Sequence, residues 1–198
     1  LRVAQAVHAP AHSFDAPQGV NIEHVVDVDT GQSAAFLQTQ GAPPAAMLAA
    51  AKFEPVRIAR DPERMGVLLP PHDLKPVGVA MRSEKFANGR RLALRLQANG
   101  ADEIYIYAPP AAKVRVLTID GERHALVGDG GAIVRCVGRA CATFEFVAEV
   151  GAEPADWRIV GRRYGSGTQT QAMTRARPQT AVPVHTGDVR VIAATRKL

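Results

Sequence analysis

Short apolar runs, each closed by a turn dipeptide, fill the chain from residue 77 onward. Asn88-Gly89, Asn99-Gly100 and Asp120-Gly121 all stand between segments rich in Val, Ile and Leu. Asn-Gly and Asp-Gly are the residue pairs that two-residue hairpin turns favour, because both central positions require a positive φ. The pattern predicts strands at residues 77–84, 90–98, 103–108, 113–119, 123–127, 132–136, 142–150, 156–164 and 189–195. Turns at this spacing indicate a mainly β fold, a β-sandwich of jelly-roll or immunoglobulin-like type.

Residues 1–19 hold two histidines and two prolines without sustained periodicity and read as a linker or arm. Residues 20–29 (VNIEHVVDVD) and 33–40 read as strands around a Thr30-Gly31-Gln32 turn. Pro43-Pro44 ahead of AAMLAAA opens a short helix, since Pro suits a helix start and Ala is the best helix former. Val67-Leu68-Leu69 before Pro70-Pro71 reads as a short edge strand. The expected organisation is thus an arm (1–19), a small α+β portion (20–75) and a β-sandwich (76–198), forming one compact unit.

The chain has 198 residues and a formal charge of +5. Its aromatic content is 5%, so aliphatic side chains must do most of the packing. The arginines are scattered, with Arg90-Arg91 and Arg162-Arg163 the two Arg-Arg doublets. A nucleic-acid binder would gather them into a stripe with stacking aromatics, so no nucleic-acid partner is expected. Residues 30–51 carry no charge, but Gln32, Gln38, Gln40, Pro43 and Pro44 argue against a membrane span. The chain begins at Leu1 without Met or a signal sequence, which reads as a segment of a longer protein.

Cys136 and Cys141 are the residues with the most specific chemistry. With a four-residue turn between two strands, they face each other across a hairpin within disulfide reach. The alternative is a pair of reduced, packed thiols, since the bond needs an oxidising compartment. The spacing is not the C-x-x-C of a redox site. His8 and His12 are four apart, but Pro10 separates them and no HExxH signature exists. Asp27 and Asp29 beside His24 read as a solvated strand end. Gly165-Ser166-Gly167 lacks the GxSxG frame, and the loop at Gly128–Gly131 lacks the Lys-Ser/Thr end of a phosphate cradle. Trp157 and Tyr164 read as core or corner residues, whereas exposure of Tyr105, Tyr107 or Trp157 would favour a binding face. No catalytic, cofactor-binding or metal-ligating residue is expected.

The segment from Cys136 to Tyr164, with its run FEFVAEVGAEPADWRIVGRRYG, resembles the C-terminal region of bacterial membrane-anchored zinc aminopeptidase-type metallopeptidases, relatives of the endoplasmic reticulum metallopeptidase. The ending ARPQTAVPVHTGDVRVIAATRKL and the early strand VNIEHVVDVDTGQSAAF are similar to theirs too. The resemblance implies a non-catalytic accessory domain that follows the transmembrane helices on the extracytoplasmic, periplasmic side. It implies that zinc sits in the parent's N-terminal peptidase domain, with none in this segment. The implied partners are the parent's own peptidase and transmembrane domains, with no membrane insertion by this segment. An oxidising location agrees with a Cys136–Cys141 bond. The rival expectation is a stand-alone β-sandwich module that binds glycan or peptide, and a free-standing enzyme is the weakest of the three.

Overall fold

The computed structural model describes residues 13, 15–59, 61–70, 74–128, 130–185 and 187–198. The His8–His12 pair, most of the expected arm and Asp129 lie outside them. The strands are, in chain order, β1 (Gln18–Asp27), β2 (Gln32–Thr39), β3 (Glu54–Val56), β4 (Arg64–Leu68), β5 (Gly78–Phe86), β6 (Gly89–Gln97), β7 (Glu103–Ala108), β8 (Val116–Ile119), β9 (Glu122–Ala125), β10 (Ala132–Val137), β11 (Thr143–Val150), β12 (Asp156–Tyr164), β13 (Ala181–Val182) and β14 (Val189–Lys197). Among the described residues two single-turn α-helices accompany them, α1 (Ala45–Ala49) and α2 (Gln171–Arg175). The protein is mainly β, as the turn pattern requires.

Contacts divide the chain into two units, and all but one of the boundaries fall inside strands. The first takes its described residues up to His24, residues 34–69 and residues 164–190. The second takes residues 25–33, 70–163 and 191–198. This grouping differs from a linear division at residue 75, because the segment 164–190 returns to the first unit.

In the first unit the strands run in the order β1-β2-β4-β3, and β13 adds parallel to the start of β1. Val20, Ile22, Ala35, Met47, Met173 and Ala181 form its core, so one methionine from each single-turn helix fills the space over the sheet. β4 is not the expected edge strand, since it pairs with β2 on one side and β3 on the other. The edge is β3, which carries Pro55, and a proline without an N–H belongs at an edge. Gly66 of β4 lies opposite Phe36, where a Cβ would come within 2.6 Å of the ring. Arg64 closes that ring from above at 3.9 Å and donates to Glu23 at 2.7 Å.

The second unit is a sandwich. One layer contains β10-β7-β12-β14 and the other β5-β6-β11-β8-β9. Leu92, Leu94, Leu96, Phe146, Ala148 and Val150 from the second layer pack in one core with Ile104, Ile106, Val134, Trp157 and Ile159 from the first. Period-2 alternation puts these residues on the inner faces. Arg90 is buried and donates to the carbonyls of Glu153 at 3.0 Å and Leu198 at 3.2 Å, which ties the chain's last residue to β6.

The turn dipeptides split into two physical roles. Asp120 and Gly121 both have positive φ (51° and 83°) and join β8 to β9 in register, Ile119 opposite Glu122. Asn99 and Gly100 also have positive φ (49° and 88°), but they carry the chain from β6 into β7 in the other layer. At Asn88-Gly89 the hairpin forms one residue earlier than expected: Phe86 pairs with Gly89, and Ala87-Asn88 make the loop. Gly89 is required there because a Cβ would overlap the Val150 carbonyl and the Arg115 guanidinium.

Candidate functional site

Alternation along β7 (EIYIYA) sends Ile104 and Ile106 into the core and leaves Glu103, Tyr105 and Tyr107 on the opposite face. The strands on either side complete that face. Arg135 of β10 lies opposite Tyr105 and Ile133 opposite Tyr107. From β12, Arg158 lies opposite Tyr107, Val160 opposite Tyr105 and Arg162 opposite Glu103. Three strands distant in sequence thus place three guanidiniums around two tyrosines.

The centre of this arrangement is Glu103, whose side chain is only 1% exposed. Arg135 donates to its Oε1 at 2.7 Å, Arg162 to its Oε2 at 3.4 Å, and the Tyr105 hydroxyl to Oε2 at 3.1 Å. A buried carboxylate is tolerated when charge-assisted hydrogen bonds replace its hydration. The two tyrosine rings stack with centroids 6.1 Å apart and planes 8° from parallel. Arg135 and Arg162 also lie over the Tyr105 ring, at 5.2 and 5.9 Å. Burial raises the pKa of the Tyr107 phenol from 10.0, Tyr105 raises it further, and Arg162, Arg158 and Arg135 oppose them. The phenol therefore stays protonated at neutral pH and is a hydrogen-bond donor.

At one end of the face, Asp27 is buried and accepts from the Thr30 N–H and hydroxyl, both at 2.9 Å, with Arg158 at 4.0 Å. Asp29 accepts from the Thr195 N–H at 2.6 Å and pairs with Arg196 at 3.7 Å. Asp27 therefore departs from the expected solvated strand end, whereas Asp29 is exposed as expected; the two hold the β1–β2 turn and the final strand. His24, in the first unit, is buried as well.

Cys136 and Cys141 are bonded, with Cα atoms 5.6 Å apart. The hairpin expected around them does not exist. β10 pairs with β7 and β11 with β6 and β8, so the cysteines sit at a corner where the chain changes layers. A 3₁₀ turn over Arg139–Ala142 reverses the chain and brings Cys141 back under the end of β10. The sulfur bridge clamps this crossover.

The remaining candidates fall to structural roles. Trp157 is 1% exposed and belongs to the sandwich core. Ser166 is exposed in the turn after β12. Gly131 lets its loop approach the end of β7, where a Cβ would overlap the Ala108 carbonyl. The polar connection after Tyr164 holds a missed element, α2. Gly167 donates its N–H to the Thr170 hydroxyl at 3.2 Å just ahead of it, and Met173 is buried. The run QAMTRA followed by Arg177-Pro178 carried that signal.

Among the described residues no group of three or more His, Cys, Asp or Glu side chains is placed to hold a metal ion. Both cysteines are engaged with each other. None of the described helices is long and apolar enough to cross a membrane. Arg and Tyr are residue types enriched at protein contact surfaces.

No protein-family model matches the chain, and no curated protein matches it. Among solved structures it is similar to the yeast delta-COP-I mu-homology domain, at 8% identity and a TM-score of 0.41, over 94% of this chain and 97% of that one. A likeness at that level assigns neither a family nor an activity.

Proposed function

We propose that this chain is a non-catalytic, extracytoplasmic accessory domain of a membrane-anchored zinc metallopeptidase, and that its tyrosine–arginine face docks against the parent's own peptidase domain. The observation that carries the reading is Glu103. One buried carboxylate fixes Arg135, Arg162 and the Tyr105 hydroxyl, and so presents cations and rings in a rigid array. Preorganised arginines and tyrosines lower the entropy cost of association. The same carboxylate, saturated by donors, is unsuited to general-base work, which needs a group free to take a proton. The Cys136–Cys141 bond suits an oxidising compartment. Zinc, in this reading, activates water in the parent's peptidase domain and touches no residue of this chain.

The test is activity in two preparations. The full reading frame containing this chain should encode membrane spans and a di-zinc peptidase domain, and its product should hydrolyse aminopeptidase substrates with zinc. The 198-residue chain alone should show no turnover with or without zinc. Zinc-dependent turnover by this chain, or a reading frame without a peptidase domain, would sink the reading. The second reading, a free glycan- or peptide-binding module, draws on Tyr107, which is 38% exposed beside its stacked neighbour. Saturable glycan or peptide binding by the isolated chain, lost in Tyr107→Ala, would decide for it.

A further inference from the structure

β5 is the outer strand of its sheet: among the described residues its one neighbour is β6. Every residue from Ala80 to Phe86 is exposed, on both faces of the strand. Met81 and Phe86 are among them, at 41% and 43%. A nine-residue edge strand with open backbone groups is a pairing template unless it is blunted.

The hairpin fixes which backbone groups face outward. Phe86 and Gly89 close a two-residue hydrogen-bonded turn, so they form a hydrogen-bonded pair. Counting back by twos, Glu84, Arg82, Ala80 and Gly78 bond to β6, opposite Arg91, Ala93, Arg95 and Gln97. Lys85, Ser83, Met81 and Val79 therefore turn their N–H and C=O groups away from β6. The charges on the strand are not evenly matched within the sheet. Arg91 has Glu84 on one side and Glu149 on the other, whereas Arg82 lies opposite the uncharged Ala93.

We propose that β5 is a homodimerisation edge, at which two copies of this chain pair antiparallel about a two-fold axis at Ser83. A two-fold operator makes an edge pair with itself antiparallel. Outward groups must meet outward groups, so the axis passes through a residue and not between two. An axis at Arg82 sets two arginines against each other, and one at Glu84 sets two glutamates. An axis at Lys85 opposes two lysines, and one at Met81 leaves Arg82 against Ala80. The axis at Ser83 alone places Arg82 opposite the partner's Glu84 and Glu84 opposite the partner's Arg82. These fall on non-hydrogen-bonded positions, where Cα atoms lie about 4.5 Å apart and side chains are closest. Ser83 pairs with the partner's Ser83, Met81 with the partner's Lys85, and Ala80 with the partner's Phe86. The ladder holds about six backbone hydrogen bonds by this alternation. An interface one strand wide belongs to the weak class, so dimerisation is concentration-dependent.

The test is sedimentation equilibrium of the whole chain across a concentration series. The wild type should show a monomer–dimer equilibrium. Arg82→Glu and Glu84→Arg, each opposing like charges, should each weaken the dimer by about tenfold or more. The double variant R82E/E84R, which swaps the charges, should recover wild-type affinity. Ser83→Pro should abolish the dimer without loss of thermal stability, because the Ser83 N–H does not bond to β6. A wild type that stays monomeric throughout, single reversals that leave the dimer unchanged, or a double variant no better than the singles would each overturn the proposal.

Discussion

Replacement of Glu103 by Ala tests whether the tyrosine–arginine face is a held structure or a set of surface side chains. Two guanidiniums and a phenol lose their common acceptor, and the site they enclose is 1% exposed. At an effective dielectric of about 20, one charge pair about 4 Å apart is worth about 4 kcal/mol before desolvation. Burying the carboxylate offsets much of that. Solvent screens it further, because the Arg135 side chain is 51% exposed and that of Arg162 24%. The cost should then lie between that of a surface pair and the 3–5 kcal/mol of a broken buried pair, at about 2–3 kcal/mol. Glu103→Gln, which keeps an acceptor and most of the volume, should cost about 1 kcal/mol. The assay is urea unfolding followed by the emission of Trp157, the chain's single tryptophan and a core residue of the same unit. The midpoint should fall at an unchanged slope. An Ala variant within about 0.5 kcal/mol of wild type would refute the reasoning, since that is how an exposed pair behaves.

Replacement of both Cys136 and Cys141 by Ala should cost about 2 kcal/mol, the loop-entropy value for a crosslink between residues 5 apart, read from the same urea curves. Unreduced wild-type protein should show no thiol available for labelling, and free labelling of both would contradict the bond. The Tyr107 phenol should ionise above its ordinary 10.0, seen as the phenolate absorbance missing from Tyr107→Phe. The sign follows from linkage: the folded state holds this proton longer than the unfolded chain does. The contribution is full below pH 10 and is lost as pH rises through the folded pKa. A phenol titrating below its ordinary value would show that the arginines outweigh burial.

The sequence carried the local terms. Alternation in EIYIYA placed Tyr105 and Tyr107 together on one face, and Asp120-Gly121 announced a hairpin that forms as written. Pro43-Pro44 marked the start of α1, and the paired cysteines were recognisable as a crosslink candidate. These signals are short-ranged, because backbone φ preferences and side-chain faces depend on neighbours a few residues away. Strand partnership is different. Backbone ladder bonds are the same for every sequence, so β10 and β11, adjacent in the chain, enter different layers without a local sign of it. Arg135 and Arg162 are 32 and 59 residues from Glu103, and only the pairing of β10 and β12 on either side of β7 brings them to it. The residue types and the faces they occupy were therefore written in the sequence. The tertiary structure decided the burial of Glu103, the corner position of the disulfide and the return of residues 164–190 to the first unit, because each depends on which distant strand supplies the next row of hydrogen bonds.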